Sequence, residues 1–502
     1  MRPRRSAPPK SPARVKASRI RGASAAIALA ALLGASRALA QEAASESAIP
    51  PNLTQLRPIQ CIAYDPKPSD FKQNLAYFDS DFFNSDFTGI WGDDGKAGAR
   101  KDLAVFAGAG LNLLHIYNWN AQRTDHTAFL NAAQKSGIKV MIPISNFTAL
   151  TITGRTGCPT CPSGYRAAFE LVRGIFEQVY PGGSRTPHPA AAMWSIYNEY
   201  DLNQYDPVDV AFVAQAILTL EDRAGIAAAD RLPITAPVSD ATWNAQARRD
   251  ARMAAPLNAA LERAAAQWLQ TNPGKNVSSA NPPDLPGGVL AMLAISNALS
   301  DGQHRSSFRS STFDPQGPQP VSVVPADFWR TRWIATSNPF RLGPSLVDYL
   351  QNRAQFQSAW PGTTAFDTLP PLFFGEMGYS QRDAGNDTAR QAEVVLGQIR
   401  ATAPLARDGS TPEGYFLGSC FFQHTFVDES KFQAFDTTGT FETRPPSPTA
   451  PCPACGKGWR VDGLRPLPVW NSVTAGYDVD GSRMAVQRPP DGEEPILVEP
   501  GP

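Results

Sequence analysis

Short apolar runs rich in β-branched and aromatic residues alternate along most of this 502-residue chain with longer stretches whose apolar positions recur at helical spacing. That alternation is the pattern of βαβ units, in which helices cover both faces of a parallel sheet. Eight strands are expected, over 58–64, 111–117, 139–144, 193–197, 232–237, 331–336, 372–375 and 415–422. Helices are expected over 101–108, 125–136, 165–180, 209–224, 254–269, 344–356 and 388–401, with Gly110, Gly137 and Gly225 placed to end three of them. Eight such pairs in about 370 residues predict an α/β fold, a (β/α)8 or TIM barrel. Its span is 57–436, with a long insertion at 241–326 between strands five and six. From 437 to 502 the chain is Pro-rich and weakly periodic with an acidic end, which reads as a wrapping or flexible C-terminal extension.

The first forty residues break the pattern. They hold nine positive charges, from Arg2 to Arg37, and no acid, then an apolar run at 25–34 and the small-x-small triplet Ala38-Leu39-Ala40. This predicts an export signal cleaved before Gln41, with a linker at 41–56 and an exported product, periplasmic or extracellular. The apolar run is too short for a hydrocarbon core that needs about 20 residues, and no later stretch is long enough, so no membrane span is expected. Charge changes meaning accordingly. Lys+Arg and Asp+Glu stand at 46 each over the whole chain; without the nine leader cations, 37 positive charges face 46 negative ones, a net of −9. Nucleic acid and anionic lipid are poor partners for such a surface.

Of six cysteines, four form the pairs Cys158-Pro-Thr-Cys161 and Cys452-Pro-Ala-Cys455, and Cys61 and Cys420 lie in apolar strand-like runs. Disulfides, a four-thiolate zinc site shared by the two pairs, and free thiols all fit this spacing. Both pairs sit in Gly/Pro/Thr loops rather than at a helix start, which disfavours redox chemistry. Cys61 and Cys420 would be neighbours in a closed barrel, either bonded or simply packed.

Barrel active sites are built at the C-terminal ends of the strands. There the chain offers Tyr64, Tyr117-Asn118-Trp119, Asn146, Asn198-Glu199, Asn338, Glu376 with Tyr379, and Gln423-His424. Amides, hydroxyls and aromatic faces around two Glu residues suit a neutral polyhydroxylated ligand. No Gly-rich phosphate loop follows a strand and no Arg/Lys cluster lines these ends, so no nucleotide cofactor is expected, and no other cofactor or metal is called for. Glu199 ends the apolar run 193–197 and Glu376 ends the run 372–375. A charge set directly after a buried strand does little for stability, and two carboxylates are the minimum for cleaving a glycosidic bond.

These residues resemble clan A of the retaining glycoside hydrolases, where an Asn-Glu after strand four supplies the acid/base and a Glu after strand seven the nucleophile. Ile116-Tyr117-Asn118-Trp119 with Asp125-His126, and 133–137 with 141–146, are similar to the β-1,3-glucanosyltransferase family and its endo-β-1,3-glucanase relatives. The resemblance spans about 59–423. It implies Glu199 as acid/base, Glu376 as nucleophile, Asn198 on the sugar 2-hydroxyl, and an O-glycosyl hydrolase or transglycosylase acting on a β-glucan-like polysaccharide. Tyr64, Tyr117, Asn118 and Asn146 match subsite positions. Two departures stand out: His115 replaces the strand-two Arg of many clan members, and Asn338-Pro339 replaces the aromatic residue after strand six. Nucleophile activation is then expected from other groups, such as Tyr379 or His424. The alternatives are a catalytically impaired carbohydrate-binding envelope protein on the same barrel, or a clan A mannanase or galactanase.

Overall fold

The computed structural model describes residues 56–66, 88–92, 100–122, 124–239, 328–359, 370–407, 416–424, 435–444 and 459–478. The expected leader, nearly all of the linker, the insertion at 241–326 with its expected helix, and the Cys452/Cys455 pair lie outside these residues.

Eight strand positions close into an all-parallel barrel. They are β1 (Ile59–Ala63), β2 (Leu113–His115), β3 (Lys139–Ile144), β4 (Ala191–Ile196), β5 (Ile234–Thr235) with β6 (Val238–Ser239), β7 (Trp333–Asn338), β8 (Leu372–Met377) and β9 (Phe416–Phe421). Neighbours pair in chain order, β5 pairs with β7, and β9 returns to β1, so no edge is left open. β5 lies within the fifth expected strand, 232–237, and β6 just past it; Ala236-Pro237 separates the two, where proline has no N–H to give to a ladder.

Successive strand side chains point to opposite faces. Ile59, Cys61, Leu113, Met141, Met193, Ile334, Phe373 and Leu417 fill the barrel. Ile62, Leu114, Ile142, Trp194, Ile196 and Phe374 face the helices in the outer core. Each fully buried side chain of this kind contributes about 1.5–3 kcal/mol relative to exposure. Burial on both faces makes the strands unbroken apolar runs in the sequence.

The helices are α1 (Thr88–Trp91), α2 (Asp102–Gly108), α3 (Thr127–Lys135), α4 (Asn146–Thr153), α5 (Tyr165–Val179), α6 (Pro207–Arg223), α7 (Phe328–Thr331), α8 (Gly343–Ala359), α9 (Thr388–Arg407) and α10 (Pro468–Tyr477). In α5 the buried residues Ala168, Phe169, Val172, Ile175, Phe176 and Val179 form one stripe at helical spacing. α6 starts at Asp206, whose carboxylate accepts from Val208 N at 2.9 Å, with Pro207 in the first turn.

β1 and β9 are cross-linked by a Cys61–Cys420 disulfide between residues that are register partners, joining positions 359 apart in sequence. Two residues earlier, Gly418 has φ 135°, and a Cβ there would lie 2.1 Å from Ile59 O, so only glycine allows this approach. Cys158 and Cys161 form a second, local disulfide, which takes both thiols out of a shared four-thiolate site. Among the described residues no group of three or more His, Cys, Asp or Glu could hold a metal ion, and no helix is long and apolar enough to cross a membrane.

The C-terminal extension has more structure than its composition suggests. β10 (Phe435–Arg444) and β11 (Trp459–Pro466) form an antiparallel ribbon, and α10 follows. α10 closes on the barrel: Tyr477 Oη donates to Ser419 O at 2.8 Å, and Gln60 Nε2 donates to Tyr477 O at 2.9 Å. Its buried stripe Val469, Trp470, Val473 and Tyr477 is helical in spacing but short, and it opens on a proline that reads as punctuation.

Candidate active site

The chain leaves β4 by an unusual path: Tyr197 and Glu199 both adopt left-handed backbone, with φ 58° and 47°. For residues other than glycine each such turn costs about 1–3 kcal/mol and persists only where the surroundings over-determine it. Here they do. Tyr197 N donates to Ile144 O at 2.8 Å, and the Asn198 peptide is held from both sides by Asn146, with Asn198 N to Asn146 Oδ1 at 2.8 Å and Asn146 Nδ2 to Asn198 O at 3.2 Å. Asn203 Nδ2 donates to Asn198 O at 3.1 Å and to Glu199 O at 3.0 Å.

Glu376 reaches the site by another irregularity. β8 shifts register against β9 between Phe374 and Met377, so the in-out alternation that puts Phe373 inside and Phe374 outside is reset before the carboxylate. Glu376 is 4% exposed, and its Oε1 accepts from Tyr117 Oη at 2.9 Å and from Asn198 Nδ2 at 3.0 Å. Gly375 makes room beneath it: a Cβ there would lie 2.6 Å from Thr336 Cγ2 and 2.8 Å from Asn338 Oδ1. The second carboxylate joins through Asn338, whose Nδ2 donates to Glu199 Oε1 at 3.1 Å and lies 3.4 Å from Asn198 Oδ1. Two amides, Asn198 and Asn338, thus link one buried carboxylate to one partly exposed carboxylate.

Of the residues singled out in the sequence, the structure gathers Tyr117, Asn146, Asn198, Glu199, Asn338 and Glu376. Others it places elsewhere. The Tyr64 hydroxyl donates to Asp102 Oδ2 at 2.8 Å on the outer wall, because counting outward from the inward Cys61 puts Tyr64 on the helix side. His424 joins the same cluster, Nε2 at 3.3 Å from Asp102 Oδ2. Trp119 is buried, its Nε1 donating to Gln178 Oε1 at 2.8 Å and its ring edge-to-face with His126. Tyr379 Oη donates to Asp383 O at 3.0 Å. Asn118 and Gln423 are buried at strand ends, 7% and 2% exposed. Support at Glu376 comes from Tyr117 and Asn198, while the Tyr379 hydroxyl bonds Asp383 and His424 lies beside Asp102. Asn203 was missed in the sequence; its signal is an amide four residues after Glu199, close enough to fold back on the turn.

His115 takes the place under the site where a cation would be expected. It is buried, with Nδ1 2.9 Å from Gly375 O and its ring tilted against Tyr117 at 4.6 Å. Burial pushes its pKa down to about 4, more than the Gly375 carbonyl restores, so the imidazole is neutral near pH 7. The outer cluster differs. Burial pushes the Asp102 carboxyl up, but Arg100 and His424 outweigh it and hold it well below the usual carboxylate range.

Fold and site together define a (β/α)8 barrel with two amide-linked carboxylates at the C-terminal ends of strands four and seven. No family model matches the chain, and no curated protein matches it in sequence. Among solved structures it is similar to Saccharomyces cerevisiae Gas2p in complex with laminaripentaose, at 12% identity and TM-score 0.42 over 84% of this chain and 64% of that one. Gas2p in complex with laminaritriose and laminaritetraose gives 13% identity and TM-score 0.43 over 84% and 64%. The chain thus spans just under two thirds of the length of these relatives, and at these values the likeness adds nothing to the fold already given by strand order.

Proposed function

We propose that the protein is an exported retaining β-glycosidase or transglycosylase acting on a β-glucan-like polysaccharide, with Glu376 as nucleophile and Glu199 as general acid/base. The observation that carries this reading is the convergence of Glu199 and Glu376 on the Asn198–Asn338 amide pair. The motif resemblance to clan A at Asn198-Glu199 and at Glu376 agrees with it, as does the amide and hydroxyl lining, which suits a neutral sugar. Export is supported by the leader pattern and by two disulfides, which persist in oxidising compartments.

The chemistry follows from the placement. A Glu376 oxygen attacks the anomeric carbon; the bond to the leaving oxygen breaks as Glu199 gives that oxygen its proton. Glu199, now a carboxylate, takes a proton from water or from an acceptor hydroxyl. The oxygen so freed bonds the anomeric carbon and the ester to Glu376 breaks, which restores both groups. Tyr117 and Asn198 steady the Glu376 carboxylate before attack and after release. Asn338 orients Glu199.

The test is a panel of β-linked polysaccharides, with product length and anomeric configuration followed over the first turnovers. Retention at the anomeric carbon is expected; inversion or no product from any glycan overturns the reading. The neutral His115 favours a second reading, glycan binding without cleavage. Measurable binding with no product would select it.

A further inference from the structure

Behind the turn that carries Glu199 lies a buried carboxylate that the proposed reaction does not use. Asp209 sits in the first turn of α6, 5% exposed, and its Oδ1 accepts from Tyr165 Oη of α5 at 3.1 Å. Tyr197, at the exit of β4, backs onto the same group. Its side chain is buried and its ring stands edge-to-face with Tyr205 at 5.7 Å, while its hydroxyl has no hydrogen-bond partner among the described residues. Burial first, and then the charge of Asp209, hold the pKa of that phenol well above its ordinary value. Tyr197 is also the first left-handed residue on the path to Glu199.

The groups that face Asp209 are Tyr165 from α5, Tyr197 from the β4 exit, Asp206 from the cap of α6 and the exposed Arg155 from the loop before α5. Tyr205 closes the cluster beside Tyr197, within reach of the Arg155 charge. Burial raises the Asp209 pKa to about 6; the Tyr165 hydrogen bond opposes the rise, Asp206 adds to it and Arg155 opposes it. An ionised carboxylate only accepts, so both phenols can turn their O–H toward it. A protonated one adds a donor that needs an acceptor of its own. Left-handed backbone at a residue other than glycine persists only where its surroundings over-determine it. A change of partner under Tyr197 is therefore passed on to the residue two positions along.

We propose that Asp209, as a carboxylate, is a positioning residue for Glu199: it anchors the tyrosines that back the left-handed turn, and the turn delivers the general acid to the leaving oxygen. The inference rests on the retaining-glycosidase reading above. Asp209 acts through Tyr197 rather than on the sugar, so its effect falls on the step in which Glu199 gives up its proton. That effect is largest where the leaving oxygen depends on the proton. A sugar is a poor leaving group and needs the acid, whereas a dinitrophenolate departs without it.

The experiment uses the full chain as wild type, Asp209→Asn, Tyr165→Phe and Arg155→Ala. The ratio kcat/KM is followed from about pH 4.5 to about pH 8 on a β-1,3-gluco-oligosaccharide and on its dinitrophenyl β-glycoside. In the wild type the oligosaccharide profile is expected to fall through a step near pH 6 as Asp209 takes up its proton. Asp209→Asn, fixed in the neutral form, should lose that step and run about three- to tenfold below wild type at pH 7, and within about twofold on the dinitrophenyl glycoside. Tyr165→Phe removes a hydrogen bond that favours the charged form and should move the step up by about one pH unit. Arg155→Ala should move it the same way by less, and as a surface change it carries the test together with Tyr165→Phe if Asp209→Asn does not fold. A profile that Asp209→Asn and Tyr165→Phe leave unchanged overturns the proposal, as does a step moved down. An equal loss on both substrates overturns it too, since that marks damage to the fold rather than to the acid. A wild-type protein that turns over neither substrate removes the retaining reading itself, a failure told apart because no profile then exists to compare.

Discussion

Asp102 on the outer wall and Glu376 at the barrel mouth each accept a hydrogen bond from a tyrosine, at 2.8 and 2.9 Å. Asp102 also takes both arms of Arg100, Nε to Oδ1 at 2.8 Å and Nη2 to Oδ2 at 2.6 Å, with His424 beside it, all in a fully buried pocket. At Glu376 the donors are a phenol and an amide, both neutral. The difference separates two uses of a carboxylate. A bidentate guanidinium fixes the charge and lowers its basicity, which suits a group that only has to hold α2 against β1. Neutral donors orient the oxygen while leaving its electrons available, which suits the bond-forming role proposed for Glu376.

Removing each carboxylate should therefore fail in opposite ways. Glu376→Gln is expected to lower turnover roughly 10^4-fold or more, with a urea midpoint close to wild type. Asp102→Asn strands Arg100, whose side chain is 2% exposed, and is expected to cost about 3–5 kcal/mol in urea unfolding. Turnover per folded molecule should change by no more than a few-fold. A Glu376→Gln protein that keeps its activity, or an Asp102→Asn protein of wild-type stability, would erase the distinction.

How far the sequence reveals each region depends on how far side-chain direction follows from simple alternation. The strands are legible because both faces are buried, and Glu199 and Glu376 because each charge ends an apolar run. The directions of those carboxylates are not: left-handed turns at Tyr197 and Glu199 and a register shift in β8 re-aim them, and no residue pattern marks either. Tyr64 is the converse case. Plain alternation from Cys61 sends it outward to Asp102, and its position at a strand end made it look like a site residue. Trp119 and His424 follow their strands by a few residues, where the chain has turned away from the mouth and into the helix layer. α4 begins at once after β3, so the pin Asn146 belongs to a helix that the apolar pattern of 146–153 does not distinguish from strand.

The neutral floor of the site sharpens the comparison through pH. The unfolded chain's His115 takes up a proton near pH 6.5, while the folded chain refuses it until about pH 4. Stability is therefore lost as pH falls through that window, by at most about 3 kcal/mol. Asp209, raised to about 6 by burial, acts in the opposite sense, since the folded state binds its proton first. Comparing wild type with His115→Asn by urea unfolding at pH 7 and pH 4 cancels Asp209 and isolates the imidazole. The wild type should lose more; parallel curves would mean that the folded chain protonates His115 as readily as the unfolded one, near pH 6.5, and that burial does not exclude a cation beneath Glu376 at pH 4.

Tyr117 is the smallest change that bears on the comparison, because Tyr117→Phe deletes one oxygen and keeps the ring against His115. A hydrogen bond to a charged group is worth about 1.5–3 kcal/mol. Two outcomes can be told apart by which step suffers. If the hydroxyl only orients Glu376, both formation and breakdown of the glycosyl-enzyme slow together. If it stabilises the carboxylate as it is regenerated, breakdown slows more and the intermediate accumulates. In the proposed mechanism charge returns to the Glu376 oxygen in the second step, so the second pattern is expected: kcat down about 10- to 100-fold, KM down with it, and a burst of aryl release in the first turnover. Removing the hydroxyl of Tyr64 from Asp102 leaves Arg100 in place, so Tyr64→Phe should show no burst and no change in KM, and a burst there would mean that the outer cluster reaches the reacting centre.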